Sequence, residues 1–360
     1  MTTDLVHEGA EDHRRLPAEW ELQSGVVLTW PHSQEIWGLE CTNVISCFAI
    51  CAALLVRDVV VHILVPDHRS REAASRAIAS AGATPDRFIW HRVDSDDVWA
   101  RDHGPMIIES GDQPALINWR FNAWGDKYPH QHDDQIPEAL NDAWKLPVRA
   151  PSWTLEGGAI DSDGAGTLLT TRQVLLDPKR NPGVSAQQAQ AQLERWLGAR
   201  RIVWLDGGIV GDDTDGHVDT LARFASPKRV VAPRAPRDHH DHGLLERNFA
   251  TLRATFEREG AEIIELPTPN VVRAPSGVLP ATYANFFITN GCCLVPAFAQ
   301  PALDETARLI VEEAVGRRAY SVDSRALITQ YGGVHCVTRD LPDILGRWLN
   351  ASKGVTALPW

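Results

Sequence analysis

Strand-like and helix-like segments alternate along this chain of 360 residues, and this alternation limits the fold more than any other feature of the sequence. Short runs of β-branched and apolar residues predict strands, and longer stretches rich in alanine, leucine or glutamine predict helices. Chains that alternate in this way from end to end fold as α/β proteins. The predicted strands are Gly25–Trp30, Val59–Pro66, Arg87–Val93, Arg201–Leu205, Arg229–Ala232, Glu262–Leu266, Asn285–Thr289, Cys292–Pro296, Ala319–Asp323 and Val334–Thr338. The predicted helices are Cys41–Arg57, Ser70–Ser80, Ser185–Leu197, Leu244–Arg258 and Asp304–Val315.

Nothing in the sequence marks a boundary between domains. The chain contains no Ser/Gly-rich linker, no block of like charges and no repeat of fixed period. The proline-rich stretches near Pro233–Pro236 and Pro267–Pro280 predict loops inside one unit. We therefore expect a single domain over residues 1–360, with a short flexible N-terminus over about residues 1–15.

The chain is acidic, with a formal charge of −12 from 47 acidic and 35 basic side chains. A nucleic-acid partner is not expected, because such proteins carry a basic patch or stripe. An acidic cleft would raise the local concentration of a small cationic substrate, although the acidity equally fits a role in solubility alone.

Membrane and secretion signals are not evident in the sequence. The longest apolar run, Val44–Val56, is shorter than the roughly 20 residues that a spanning helix needs. The N-terminus lacks the basic and then apolar order of a secretory signal. Five of the six cysteines lie in apolar stretches and are predicted to be small buried residues; Cys336 is the exception. We therefore expect no membrane partner and a cytoplasmic location.

Motifs that bind nucleotides or zinc are missing from the sequence. It has no G-x-x-x-x-G-K-[ST], no G-x-G-x-x-G after a predicted strand, and no H-E-x-x-H. The run Asp238–His242 is rich in histidine, but its spacing fits no standard ligand set, and a solvated helix start is the simpler interpretation. We expect no metal and no organic cofactor.

Five short clusters combine polar residues with glycine or aromatic residues. In the third, His217 and Asp219 would share a face if the segment were extended, although a capped turn with a surface pair is equally open. In the fifth, a strand over Val334–Thr338 would turn Cys336 away from His335, and the preceding glycines would let a ligand approach closely. The clusters are Asp96–Pro105, Glu156–Ile160, Asp212–Asp219, Asn285–Asn290 and Gly332–Thr338.

Together the clusters supply a thiol, an imidazole and several carboxylates. A thiolate nucleophile with a histidine acid/base is a common route to covalent catalysis. The surplus of carboxylates favours a planar cation, because a guanidinium group matches carboxylates in bidentate geometry. Such a bound cation would also favour thiolate over thiol.

In this order the clusters resemble the agmatine deiminase family, within the wider group of guanidine-modifying enzymes. Trp99–Pro105 is similar to the family's W-x-R-D-x-G-P, and Glu156–Gly158 to its E-G-G. Asp213–Asp219 is similar to its D-T-D-G-H-x-D, and Gly333–Thr338 to its G-x-H-C-[IV]-T. The resemblance covers about residues 16–345.

The resemblance implies a pentein-type fold, a five-bladed pseudo-symmetric α/β propeller of ββαβ-like units. It implies hydrolysis of agmatine, a small cationic substrate, to N-carbamoylputrescine and ammonia through a covalent adduct on cysteine. A homodimer would be compatible with it. The implied catalytic residues are the nucleophile Cys336, the acid/base His217, Asp102 and Asp219 on the guanidinium, and Glu156, which would orient His217 and face the guanidinium. The implied substrate-binding residues are Trp99 and Trp124 along the channel, Asp213 at the far amine, and Gly333.

Other functions remain open from the sequence. A free-arginine deiminase, a peptidyl-arginine deiminase and an amidinotransferase use related chemistry, and a non-catalytic polyamine-binding protein would be compatible with the same scaffold. Arginine would need a cationic clamp for its α-carboxylate, which none of the motifs supplies. Asp161 is predicted to be a solvated turn residue outside the site.

Overall fold

A computed structural model describes residues 13–352 of the chain, and strands and helices alternate through them as predicted for an α/β protein. The strands are β1 (Arg14–Arg15), β2 (Gln23–Thr29), β3 (Val60–Val65), β4 (Phe88–Arg92), β5 (Met106–Ser110), β6 (Gln113–Ile117), β7 (Val148–Arg149), β8 (Ile160–Ser162), β9 (Thr167–Thr171), β10 (Arg201–Leu205), β11 (Arg223–Ser226), β12 (Arg229–Arg234), β13 (Glu262–Pro267), β14 (Arg273–Ala274), β15 (Gly277–Val278), β16 (Phe287–Ile288), β17 (Cys292–Ala297), β18 (Arg318–Asp323) and β19 (Arg339–Pro342). The α-helices are α1 (Gln34–Trp37), α2 (Cys41–Leu55), α3 (His68–Ser80), α4 (Ala100–His103), α5 (Ala123–Asp126), α6 (Ile136–Trp144), α7 (Arg172–Leu175), α8 (Ala186–Leu197), α9 (His242–Phe256), α10 (Pro301–Val315), α11 (Arg325–Ile328) and α12 (Asp343–Ser352).

One strand pattern recurs in five sheets of the described chain. An antiparallel pair is followed, after a helix, by a strand that runs parallel to the second member of the pair. Parallel neighbours require such a crossover because a tight turn cannot join them. The sheet orders are β19–β2–β3–β4, β1–β5–β6–β7, β8–β9–β10, β11–β12–β13 and β16–β17–β18, and the ribbon β14–β15 stands apart.

The sheet that contains β2 joins the two ends of the described chain. Its antiparallel first strand, β19, comes from residues 339–342 and pairs with β2, with Arg339 opposite Val27. In the other four sheets the antiparallel pair is consecutive in sequence. The recurring unit is therefore completed, in this sheet, by strands from opposite ends.

The crossover helices begin and end at ordinary helix signals. Ser185 and Gln188 form a reciprocal capping box at the start of α8, and Gly198 closes it in the left-handed conformation. Ala189, Leu193 and Leu197 follow at intervals of four and form its buried face. This helix therefore lies with one apolar stripe on the core between the sheets.

Helix α2 belongs to the largest apolar core. Among the described residues, one helical stretch, Gln34–Leu55, is long and apolar enough to cross a membrane. In the structure, its side chains Val44, Phe48 and Leu55 are fully buried against neighbouring strands and helices. The expectation of no membrane partner stays a prediction.

All five predicted long helices are present, with ends within three residues of the predicted ones, but one predicted strand is wrong. Val334–Thr338 forms a turn, because the Thr338 hydroxyl donates back to the carbonyls of Val334 and His335, as in a helical turn. Residues 1–12 of the expected flexible N-terminus lie outside the described residues, whereas Arg14–Arg15 form β1 and pair with β5.

Candidate active site

Each of the five recurring sheets contributes one loop to the same region. The loops share a position, since each enters the first strand of an antiparallel pair. The residues that they carry are Asp102 before β5, Gly158 before β8, Asp219 before β11, Asn285 before β16 and Cys336 before β19.

A cavity of about 400 Å³ opens onto three of these loops, those before β5, β11 and β19. Its volume is within the range of small-molecule sites. Trp99 and Trp124 form aromatic walls, as predicted, and Cys336 reaches the interior. The lining residues are Ser33, Glu35, Ile36, Asp96, Asp97, Trp99, Asp102, Trp124, Tyr128, Pro129, Asp213, Thr214, Gln330, Tyr331, Gly332 and Cys336.

Three predicted site residues converge on Gly158. A Cβ atom built on this glycine would lie 2.5 Å from His217 Nδ1, 2.9 Å from Asp102 Oδ1 and 3.0 Å from Asp219 Oδ2. Real Cβ atoms essentially never make contacts below 3.0 Å, so a side chain at this position would force His217 and Asp102 to move. The second glycine of the E-G-G motif thus lets His217, Asp102 and Asp219 approach the backbone closely, which the motif alone does not reveal.

Asp102 is held by neutral donors. Its Oδ1 accepts from the Gly158 backbone N–H at 2.9 Å, and its Oδ2 accepts from Trp124 Nε1 at 3.1 Å. Burial raises the pKa of Asp102, His217 opposes this, and the charges of Asp219 and Glu156 raise it further. The Trp124 indole therefore does two things at once, because it lines the cavity and orients a carboxylate.

Asp219 is held by a buried ion network instead. Its Oδ2 lies 2.7 Å from His335 Nδ1, and His335 Nε2 lies 2.8 Å from Glu19 Oε2. Burial acts to raise the pKa of Asp219, but the hydrogen bond and charge of His335 leave it below the ordinary value. Oδ1 of Asp219 is buried and has no hydrogen-bond partner, so it is available to a ligand donor. The segment Val218–Thr220 is a 3₁₀ turn rather than the extended strand considered from the sequence.

The Glu19 carboxylate connects this network to the rest of the protein. It accepts from Arg101 Nη2 at 2.9 Å, from Arg223 Nη2 at 2.8 Å and from the backbone N–H of Ile288 at 2.8 Å. Sequence analysis missed Glu19 and His335 as site-supporting residues. His335 lies beside Cys336 in the sequence, but Glu19 is more than 300 residues away, so only the fold brings the two together.

His217 is buried and positioned for proton transfer. Its Nδ1 lies 3.6 Å from Asp102 Oδ1, and neither ring nitrogen has a hydrogen-bond partner among the described residues. A buried imidazole with free nitrogens beside a carboxylate has the position required of a general acid/base. The structure thus brings His217 together with Asp102 and Asp219, as expected.

The expected contact between Glu156 and His217 is wrong. The Glu156 carboxylate accepts from Arg180 Nε at 2.6 Å, and both side chains are buried. Arg180 in turn binds Asp177 and Asp215. Through Arg180, Glu156 therefore connects the loop before β8 to the loop that contains Asp215. The charge of Glu156 also raises the pKa of Asp102.

Cys336 lies in the turn between α11 and β19. Burial raises the pKa of its thiol well above the ordinary value, and the charges of Asp219 and Asp102 raise it further. A bound cation would act in the opposite direction, by neutralising the two carboxylates. Entry of a positive charge into the site would therefore lower the pKa of the thiol.

Gly333 does not line the cavity, contrary to its expected place among the substrate-binding residues. A Cβ atom on it would lie 2.3 Å from Asn285 Oδ1. Its neighbour Gly332 does line the cavity, and a Cβ atom there would lie 2.0 Å from the Trp99 ring. The two glycines make room for Asn285 and Trp99 respectively.

Asp213 lines the cavity, as predicted, and its carboxylate is already paired with other side chains. Its carboxylate accepts from Tyr128 Oη at 2.9 Å and lies 3.4 Å from Lys127 Nζ. Nearby, burial raises the pKa of Asp97 to about 6. An amine that entered here would meet carboxylates whose charge is partly compensated.

The histidine-rich run lies apart from the cavity. His239, His240 and Asp241 bring one ligand atom each within 4.8 Å of one another, as a candidate metal group. Their polar atoms have protein partners, however: His239 Nδ1 accepts from the Asp241 N–H at 3.2 Å, and Asp241 Oδ1 accepts from the Val210 N–H at 2.9 Å. These hydrogen bonds are explained by the turn that leads into α9, which begins at His242. The proposed chemistry does not involve this cluster.

A thiol, an imidazole and carboxylates that converge on one cavity are the groups of a guanidine-modifying enzyme. The chain belongs to the family of Porphyromonas-type peptidyl-arginine deiminases, whose family model matches residues 15–342. The resemblance drawn from the sequence motifs is thus confirmed.

Individual relatives match over nearly their whole length. An agmatine deiminase of Stutzerimonas stutzeri is 30% identical, with 95% of this chain and 99% of the relative covered. The structure of C. jejuni agmatine deiminase with substrate bound is 25% identical, with a TM-score of 0.84 over 94% of this chain and 98% of that one. The agmatine deiminase of Enterococcus faecalis, at 24% identity and a TM-score of 0.82, shares the fold over 92% of this chain and 96% of its own.

Proposed function

We propose that this chain hydrolyses agmatine to N-carbamoylputrescine and ammonia, with Cys336 as nucleophile. The observation that carries the proposal is that Cys336 and Asp102 line one acidic cavity with tryptophan walls, while His217 and Asp219 converge with Asp102 on Gly158. The names of the similar proteins, which are agmatine deiminases, support the substrate.

The reaction follows from the positions of the groups. Asp102 and Asp219 accept from the guanidinium nitrogens, and the Cys336 sulfur attacks the guanidinium carbon. The carbon–nitrogen bond breaks, and the nitrogen leaves as ammonia with a proton from His217. His217 then takes a proton from water, whose oxygen attacks the same carbon. The carbon–sulfur bond breaks, the thiolate is regenerated, and the remaining proton passes to ammonia.

A substrate without a carboxylate, such as agmatine, fits the cavity better than arginine does. Among the described residues that line it, there is no lysine or arginine, whereas Glu35, Asp96, Asp97, Asp102 and Asp213 are acidic. An α-carboxylate would meet like charges in a partly desolvated site, which costs several kcal/mol. We expect agmatine to be preferred over arginine by at least about a thousandfold in kcat/KM, or roughly 4 kcal/mol.

A peptidyl-arginine deiminase is the second candidate, and the name of the matching family favours it. A substrate panel of agmatine, arginine and a peptidyl-arginine, followed by ureido-product formation and ammonia release, separates the candidates. Turnover of agmatine alone supports the proposal, and preferred turnover of the peptide overturns the substrate assignment. Binding of agmatine without release of ammonia would instead indicate a polyamine-binding protein.

The nucleophile is tested by Cys336→Ser. Without a strong base, an alcohol is a much weaker nucleophile, so we expect turnover to fall below detection while circular dichroism shows a folded protein. Cys293→Ser, at a buried cysteine away from the cavity, is the matched control and should retain activity. Substantial turnover by Cys336→Ser would contradict the mechanism.

We further propose that the five recurring sheets are the blades of a five-bladed α/β propeller within one catalytic domain. The supporting observation is that the loop before the antiparallel pair of each sheet brings a residue to the region of Gly158, Asn285 and Cys336. A cytoplasmic location and assembly as a homodimer complete the proposal.

A further inference from the structure

The loop before β16 brings to the site a residue that the proposed chemistry has not used. Asn285 lies two residues before β16, just as Gly158 lies two residues before β8. It is buried, and its backbone carbonyl accepts from the His335 N–H at 3.2 Å. Its position in the recurring unit is therefore one at which other sheets place groups of the site.

The side chain of Asn285 touches the reacting sulfur. Its Nδ2 lies 3.3 Å from Cys336 Sγ and its Oδ1 lies 3.5 Å from the same atom. The backbone N–H of His335 donates to Oδ1 at 3.0 Å. Turning the amide over would place two donors face to face, so the His335 N–H fixes the orientation in which Nδ2 is directed to the sulfur.

Room for this contact depends on Gly333. Any side chain there would strike Asn285 Oδ1, since a Cβ atom would lie only 2.3 Å away. The glycine that was expected to contact substrate therefore accommodates the amide that contacts the thiol. The two sequence clusters Asn285–Asn290 and Gly332–Thr338 form one unit in space.

We infer that Asn285 is a catalytic residue whose side-chain N–H donates to the Cys336 thiolate and stabilises it. This inference rests on the proposed role of Cys336 as nucleophile. When the thiol ionises, its proton leaves to solvent through the cavity and the sulfur keeps the electron pair, which accepts the hydrogen bond from Nδ2. In the protonated state the thiol can donate to Oδ1 instead, so one amide serves both states.

The electrostatics of the site explain why such a donor is needed. The charged groups that act on the sulfur are Asp219, from the turn before β11, and Asp102, from α4, and both disfavour a thiolate. His217 is the other titratable group where these carboxylates converge. Opposing the carboxylates are the Gly333 backbone and the Asn285 amide, which both lower the pKa of the thiol.

The experiment measures alkylation of Cys336 by iodoacetamide as a function of pH, without substrate, with mass spectrometry of the Cys336 peptide. Loss of a charge-assisted hydrogen bond corresponds to roughly a tenfold to hundredfold change in the thiolate population. We therefore expect Asn285→Ala to move the alkylation midpoint up by at least about one pH unit. Asn285→Asp has the same size and serves if the alanine variant does not fold; its added carboxylate should move the midpoint further.

Steady-state kinetics add a second readout. Because Asn285 does not line the cavity, we expect kcat to fall at least about tenfold while KM for agmatine changes less than about twofold. A purely structural role would lower the melting temperature without moving the alkylation midpoint.

Asn290 provides the matched control in the same hairpin. Its Oδ1 accepts from the Gln23 N–H at 2.9 Å and its Nδ2 donates to the Gln23 carbonyl at 2.8 Å, far from the thiol. Asn290→Ala should reduce stability and leave the alkylation midpoint unchanged. An unshifted midpoint in Asn285→Ala, with unchanged kcat, would overturn the inference. Since the midpoint is read on Cys336 itself, this outcome is distinct from failure of the proposed function, which retained turnover by Cys336→Ser would reveal.

Discussion

Asp102 and Asp219 are the same type of side chain in one site, yet the protein holds them in opposite ways. Asp102 accepts from two neutral donors, the Gly158 N–H and the Trp124 indole, and burial raises its pKa. Asp219 is paired with His335 inside a network of buried charges, and its pKa is lowered. The contrast shows that the surroundings of two identical residues in one site can shift their pKa values in opposite directions.

This difference suggests a division of labour. Asp219 has a lowered pKa and keeps one buried oxygen without a hydrogen-bond partner, so its charged form is favoured before a substrate binds. Asp102, beside His217, has a carboxylate whose charged form is disfavoured until a cation binds. Substitutions that treat the two residues alike should therefore give different results.

The largest effect is expected for Asp219→Asn. The amide removes the anion that faces His335, and breaking a buried pair in this way costs about 3–5 kcal/mol of the free energy of unfolding. We expect kcat/KM to fall by more than about a thousandfold, because guanidinium also loses an acceptor. Chemical denaturation and steady-state kinetics measure the two losses.

Asp161→Asn is the matched control for this variant. Asp161 is paired with Arg223 in the same network, but both of its oxygens already accept hydrogen bonds, from Arg223 and from the Phe224 N–H, whereas Asp219 keeps one oxygen without a partner. Its variant should be destabilised while the folded fraction retains its kcat/KM. Equal loss of activity in both variants would mean that the network acts on catalysis only through stability.

The next effect in size is expected for Asp102→Asn. One carboxylate oxygen becomes an amide that faces a donor, while an unfavourable buried charge is removed. Losing a charge-assisted bond to substrate should reduce kcat/KM by about 10-fold to 150-fold, or 1.5–3 kcal/mol. The free energy of unfolding should fall by less than in Asp219→Asn. A larger stability loss at Asp102 than at Asp219 would refute the proposed contrast.

The contrast also predicts a pH dependence. Asp102 has a raised pKa in the folded protein, so activity that needs its carboxylate is lost as pH falls through that value. Asp219 has a lowered pKa and stays charged through the same range; the stability that it contributes is present above the pKa of the unfolded chain and is lost only as pH falls through the lower folded value. We expect kcat/KM to decline by about tenfold per pH unit on the acid side. In Asp102→Asn this decline should be absent or shifted, which a pH profile of both enzymes tests.

The smallest effect is expected at Asp213, a half-buried carboxylate already bonded to Tyr128 and Lys127. Such partly screened ion pairs contribute about 0.2–1 kcal/mol, so Asp213→Asn should weaken agmatine binding less than about sixfold. A monocationic alkylguanidine of the same length should be affected less. The two affinities can be measured as binding to the Cys336→Ser variant or as competitive inhibition of turnover. Equal losses for the two ligands would show that Asp213 does not contact the far amine.

Much of the site could be predicted because its residues lie in dense polar motifs. Motif resemblance assigned Asp102, His217, Asp219 and Cys336 to one site, and in the structure these residues lie near one another. The α/β class followed from the alternation of predicted strands and helices along the chain.

The errors have a common physical origin in contacts between residues distant in sequence. Asp161 looked like a solvated turn residue, but it is buried in β8 because Arg223, from another sheet, donates to it at 3.0 Å. Glu156 binds Arg180 rather than His217. Val334–Thr338 alternates like a strand, yet hydrogen bonds from the Thr338 hydroxyl close it into a turn. Periodicity reports neighbours along the chain, and it cannot report which distant charge will meet a carboxylate.

The pairing of β19 with β2 has a consequence for how activity arises during synthesis. Cys336 stands three residues before the strand that docks on β2, and the backbone N–H of Arg101 donates to the Cys336 carbonyl at 3.0 Å. A nascent chain that ends before residue 339 holds the thiol but has no β19 to dock it. The nucleophile should therefore mature last, and a ribosome-stalled fragment should show ordinary thiol reactivity with no turnover until the final strand emerges.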